Sequence, residues 1–155
     1  MVIEIIEKKN ESLFVYKEGK LLFYSTVKFN WISKNIKIYN QNDILLLELA
    51  YKSVFFKSTY KILYQNKFLT SLLTEVDGES IFFDTDKTIT IKPANFISLS
   101  HNFNYFFKEN KIAEVKQNIW RISTKYELYL KDENLEFLDQ IIIHILSIKT
   151  GFSSV

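Results

Sequence analysis

The chain has 155 residues, 47% hydrophobic and 16% aromatic, with three Gly, one Pro and no Cys. It reads as one domain over 1–155, able to bury about 70% of its unfolded surface, and so much apolar material at a net charge of +2 excludes a disordered chain. Absence of Cys excludes disulfide staples, thiolate metal sites and a Cys nucleophile and suits a reducing compartment, while Lys+Arg 20 against Asp+Glu 18 is too balanced to mark a nucleic-acid binder.

Taken from the N-terminus, Met1–Lys9 carries Glu4 and Glu7 where a secretion signal needs a basic start, so no export signal is expected. No run of about 18 apolar residues exists, so no transmembrane helix is expected either. The expected location is the cytoplasm, free or peripheral at a membrane.

A pattern of turns then recurs along the chain. An apolar or aromatic residue is followed by polar turn residues and a second apolar segment, beginning at Tyr16, Tyr39, Tyr64, Phe83, Phe107 and Leu130. The gaps are 23, 25, 19, 24 and 23 residues, each long enough for a hairpin of two strands of about 5–6 residues. The flanks alternate as half-buried strands do. Ile36 and Ile38 share one face; Trp120, Ile122, Thr124, Tyr126, Leu128 and Leu130 share another. Lys52–Ser58 and Asn95–Ser100 are rich in β-branched and aromatic residues without helical spacing, and Lys92–Asn102 is irregular. About 11–12 antiparallel strands follow, and a set of that size closes more readily into a barrel than it stays an open sheet. An open array of Gly-rich hairpins is the alternative, and three Gly are too few for it.

The last element differs. In Leu135–Ile148 alternation stops, and Glu136, Gln140, His144 and Ser147 form one polar stripe on an otherwise apolar surface. This is a helix over about 134–149, apolar on most sides and therefore buried on most sides. Asp132 or Asn134 suits its N-cap, Lys149 its last turn and Gly151 its C-terminal cap. At about 1.5 Å per residue it is about 21 Å long, near the height of a barrel made of such strands.

A series of hairpins ending in one very apolar helix resembles the tubby C-terminal-like fold, shared by the tubby proteins, the LURP-one-related proteins and the phospholipid scramblases. The nearest local likeness is to the LURP-one-related branch, in Phe107-Lys-Glu-Asn-Lys-Ile-Ala-Glu-Val-Lys-Gln, Ile119-Trp-Arg-Ile, Tyr126-Glu-Leu-Tyr-Leu and the terminal helix. The order of elements matches over nearly the whole chain. The resemblance implies a mainly β, closed antiparallel barrel of twelve strands around a buried C-terminal helix. It also implies a non-enzymatic, membrane-associated adapter that recognises anionic, phosphoinositide-like headgroups. The tubby segments carrying the lipid-contacting Lys and Arg are not recognisable here, so no binding residue carries over.

Three groups of cations are the candidate anion or lipid contacts: Lys52, Lys57 and Lys61; Lys28, Lys34 and Lys37; Lys116, Arg121 and Lys125. Trp31, Phe55 and Phe56 lie near them and suit either a membrane interface or the barrel filling. The competing reading is a solvated face with Asp and Glu interspersed, which leaves a protein-interaction module with no lipid role as the alternative function.

No catalytic residue, cofactor or metal is expected. Asp84-x-Asp86 matches the nucleophile pair of haloacid-dehalogenase-type phosphotransferases, but that chemistry needs a parallel strand leading into a helix, and Ile89–Ile91 continues as strand. A Ca²⁺ site on the same pair falls short of the roughly six oxygens needed. His144, in line with Gln140 and Glu136, reads as part of a polar seam bonded to strand backbone, and His101 as a loop residue. No nucleophile elbow of the form G-x-S-x-G is present.

Overall fold

A computed structural model of the protein describes residues 1–67, 69, 71–84, 87–94, 102–118 and 125–152. Its strands are β1 (Val2–Glu7), β2 (Leu13–Lys17), β3 (Lys20–Asn30), β4 (Ser33–Asn40), β5 (Leu45–Val54), β6 (Lys57–Gln65), β7 (Leu73–Val76), β8 (Ser80–Phe83), β9 (Thr88–Pro93), β10 (Phe103–Phe107), β11 (Asn110–Asn118) and β12 (Lys125–Leu130). They form one antiparallel sheet in the order β6-β5-β4-β3-β2-β1-β12-β11-β10-β9-β8-β7. Every strand but β6 pairs with the strand that follows it in sequence, β6 and β7 form the two ends of the order, and β1 pairs with β12. The result is a nearly closed twelve-stranded barrel, which removes sheet edges that would otherwise template aggregation.

The one gap in the ladder lies between β6 and β7, and side chains bridge it. Gln65 Nε2 donates to Leu73 O at 2.6 Å while Leu73 N donates to Gln65 Oε1 at 2.7 Å. The amide thus imitates the paired backbone of a neighbouring strand. Asn66 fastens the same corner to β5, its Nδ2 donating to Leu45 O and its backbone N to Leu46 O.

Alternation decides what faces inward. Ile3, Ile5, Leu13, Val15, Ile36, Ile38, Leu47, Leu49, Val115 and Leu128 are all buried in one core. A 3₁₀ turn, Asp132–Phe137, leads into α1, Leu138–Lys149, within the span expected for a helix but with its first turn tighter. Ile141, Ile142, Ile145 and Leu146 have no exposure and belong to the same cluster as the inward strand residues, so α1 fills the lumen. Neither expected N-cap is used: no side chain caps α1, and Asn134 Nδ2 donates instead to Ile112 O on β11. Gly151 does end the helix in the left-handed region, at φ 74°. A Cβ there would lie 3.0 Å from Val27 Cγ2 and 3.2 Å from Phe29 Cζ.

The barrel has two unlike ends. One carries the polar turns read from the sequence, such as Glu18-Gly19 and Lys108-Glu109, whose residues have positive φ, as the tight turns of twisted hairpins require. The other carries the β1–β2, β3–β4, β5–β6 and β7–β8 connections and receives the C-terminus of α1. There Ser25 Oγ meets Thr150 Oγ1 at 2.6 Å, and Gly151 N donates to Glu11 O at 3.2 Å.

One expectation changes. Lys92, read as irregular, belongs to β9 opposite Asn104. The long strand face from Trp120 to Leu130 is seen from Lys125 onward, with Tyr126, Leu128 and Leu130 facing in; Trp120, Ile122 and Thr124 lie outside the described residues, as does the Asn95–Ser100 segment.

Candidate functional site

Two neighbouring hairpins project from the end where α1 terminates. The β3–β4 tip holds Trp31 and Ile32; the β5–β6 tip holds Phe55 and Phe56. Trp31, Phe55 and Phe56 are essentially fully exposed, at 104%, 94% and 108%, and Ile32 is more than half exposed. Ser53 N donates to Ile32 O at 3.4 Å, joining one hairpin to the other. Phe55 and Phe56 both sit at positive φ, 48° and 66°. A two-residue turn of that shape favours Asn-Gly, and bulky side chains there are strained. Residues held in such conformations concentrate at functional sites.

Outward-facing lysines lie along the strands that lead to these tips. Lys28 faces outward opposite Asn35, Asn35 opposite Ala50 and Ala50 opposite Lys61, so Lys28 and Lys61 occupy one cross-strand row, roughly 14 Å apart over three strand spacings. Lys52 lies one row nearer the tips, between Ser33 and Thr59, and Lys57 is opposite Val54 beside the phenylalanines. Among the described residues none of these four forms a salt bridge. Lys20–Gln65 carries seven lysines against only Asp43 and Glu48, and the stretch Leu49–Thr74 carries no acid at all. Acids are sparse along these strands, though Glu48 Oε1 accepts from Asn35 Nδ2 within the Lys28–Lys61 row.

The third cationic group differs. Lys125 is nearly buried and binds Glu4 Oε1 at 2.7 Å and Glu127 Oε1 at 3.5 Å. Lys116 Nζ stands 3.8 Å from Glu114 and 5.0 Å from the Tyr129 ring centre. Carboxylates already neutralise both. Arg121 lies outside the described residues.

The second group splits. Lys28 and Lys37 face outward, Lys37 opposite Glu48. Lys34 faces inward and is only 4% exposed. It stands opposite Phe29 and Tyr51. Its Nζ donates to Thr150 O at 2.8 Å and lies 4.8 Å from the centre of the Tyr51 ring and 3.0 Å from that of Phe152. Burial lowers its pKa to about 7, partly offset by the charge of Glu11. Lys34 is thus not a surface cation like Lys28 and Lys37: it shares the inward face of β4 with Ile36 and Ile38, both buried.

His144 has no exposure. Its Nδ1 meets Tyr105 Oη at 2.8 Å, and its Nε2 meets Asp77 O at 2.9 Å. Because the carbonyl can only accept, Nε2–H donates to it and Nδ1 accepts from the tyrosine hydroxyl. Burial lowers the imidazole pKa to about 4, and both ring nitrogens are satisfied in the neutral form. Glu136 leaves the expected stripe for solvent, 3.5 Å from Lys87.

Asp84 follows β8, which pairs antiparallel with β9, so no parallel strand leads into a helix at this position. Asp86 and His101 lie outside the described residues. Among the described residues no three His, Asp or Glu group as a metal site, and no helix is long and apolar enough to cross a membrane.

Comparison with known protein families, with curated proteins and with solved structures finds no match for this chain.

Proposed function

We propose that this protein is a non-enzymatic, membrane-associated adapter that recognises anionic lipid headgroups through surface lysines, docking by the end that bears Trp31, Phe55 and Phe56. One observation carries the reading: three fully exposed aromatic residues sit on two adjacent tips, and the outward strand face that leads to them bears lysines that have no carboxylate partners among the described residues. Exposed aromatic clusters mark interaction surfaces, and Trp is favoured where water meets acyl chain. Each lysine near an anionic leaflet contributes about 1 kcal/mol. Lys28, Lys52, Lys57 and Lys61 together with the aromatics therefore support reversible binding without a spanning helix. Lys116 and Lys125 drop out of the proposed contact set, since nearby glutamates occupy them.

The resemblance to tubby C-terminal-like barrels points the same way. Twelve strands around a central apolar helix are the arrangement it implies, and membership of that group is part of the proposal.

Co-sedimentation with vesicles of phosphatidylcholine, with and without phosphatidylserine, tests the reading. Binding is expected at low ionic strength, increasing with the anionic fraction and falling about tenfold or more when Trp31, Phe55 and Phe56 are all replaced by Ser. No binding to anionic vesicles at low salt would refute it.

A further inference from the structure

Beside the β3–β4 tip, between it and the chain that follows α1, runs an open groove of about 410 Å³, walled by Phe29, Trp31, Ile32, Tyr51 and Phe152, with Lys34 at its base. Its size lies within the range of about 300–1,000 Å³ typical of small-ligand clefts. Its walls are mainly apolar, with Asn30, Ser33 and Ser53 also in the lining, and its base is a cation with an unusual environment. A buried charge normally has a partner of opposite sign. Lys34 has none within salt-bridge distance among the described residues. The Thr150 carbonyl and two aromatic faces contact it, and the charge of Glu11 acts on it from beyond salt-bridge distance.

We propose that this groove binds an anionic amphiphile with a single apolar tail, Lys34 serving as counter-ion to the head and the aromatic walls holding the tail. The charge on Lys34 selects the head; the exposed Trp31 and Ile32 and the half-exposed Phe29 and Phe152 supply the tail contact. The inward position of Lys34 distinguishes this site from the outward lysines of the membrane face. The attraction of an anion here offsets the desolvation penalty on the charged form of Lys34. A carboxylate and a phosphate monoester share the required chemistry, so the head can come from a fatty acid or from a lipid phosphate. The site adjoins the proposed membrane-docking tips but does not depend on that reading.

NMR titrations at pH 6.5 with decanoate, decyl phosphate and decanol, each below its aggregation or solubility limit, test the proposal. At least one of the two anions is expected to shift amides of Phe29–Lys34, Tyr51 and Phe152, binding at least tenfold more tightly than decanol. The tighter of the two identifies the head. In Lys34→Met that preference over decanol is expected to vanish while the fold persists, since replacing a buried ion by an apolar side chain of similar size is well tolerated. Equal affinity for decanol, absence of shifts at these residues with both anions, or a preference that survives in Lys34→Met would each overturn it. Vesicle binding reads the other proposal separately: Lys34→Met is expected to sediment with anionic vesicles as the wild type does, and removal of Phe55 and Phe56 is expected to leave the anion preference intact.

Discussion

Lys34 and His144 are both buried bases whose ordinary charge is suppressed, and each makes stability depend on pH. The pKa of Lys34 falls from 10.5 to about 7 on folding, so between those values the unfolded chain holds the extra proton. This contribution is fully present above pH 10.5 and is lost as pH falls through 7. Lys34→Met is therefore expected to be more stable than the wild type at pH 6, by a few kcal/mol at roughly 1.4 kcal/mol per pKa unit. That advantage should narrow as pH rises from 7 to 10.5, measured by urea denaturation. For His144 the folded value is about 4 against 6.5 unfolded, so its stabilisation is present above 6.5 and lost as pH falls towards 4. Tyr105→Phe leaves Nδ1 without its hydroxyl donor and should cost about 1–3 kcal/mol at pH 7. That cost should shrink as pH falls towards 4, where the folded ring takes up its proton. The helix stripe made His144 legible as a bonded seam residue, but its tyrosine partner lies 39 positions away in sequence, beyond any local pattern. Lys34 was legible by parity with Ile36 and Ile38, whereas its cover by Phe152 depends on where the helix ends.

The β5–β6 hairpin sets local stability against exposure. Phe55 and Phe56 hold left-handed conformations that cost about 1–2 kcal/mol per residue for L side chains. The double change Phe55→Asn with Phe56→Gly supplies the turn chemistry that this geometry prefers. It is expected to raise the melting temperature by several degrees while weakening binding to anionic vesicles about tenfold. A turn selected for stability alone would show the first effect without the second. The end of α1 is tested by Gly151→Ala, which adds a methyl 3.0 Å from Val27 at positive φ. A loss of about 2 kcal/mol is expected by thermal denaturation. Hairpins and helix were readable because their signals are local: alternation at period two, polar turn residues, and an apolar arc around Leu135–Ile148. The β6–β7 seam was not, because Gln65 closes it with a side-chain amide where alternation promises only another strand pair.

The molecule as a whole is a filled barrel with one differentiated end. α1 occupies the lumen, so interactions fall to the exterior and the rims. The charge distribution is uneven: β3–β6 is rich in lysines without a carboxylate partner among the described residues, while Lys116 and Lys125 on β11 and β12 are held by Glu4, Glu114 and Glu127. Whole-chain charge hid this asymmetry, because a net +2 averages the acid-poor stretch Lys20–Gln65 with the rest. Attraction of this kind is screened within about 10 Å at 0.1 M salt, so vesicle binding should weaken steeply between about 0.05 and about 0.5 M NaCl, leaving the smaller aromatic contribution. The most direct test of end-on docking uses the absence of native Cys. A spin label is attached at Phe56→Cys on the end that bears the aromatic tips, or at Asn42→Cys on the exposed turn between β4 and β5 at the opposite end. With anionic vesicles, the label at 56 is expected to become more accessible to oxygen and less accessible to a water-soluble nickel complex, while the label at 42 keeps its solution values. Equal responses at the two positions, or immersion of position 42 alone, would contradict docking by the aromatic tips.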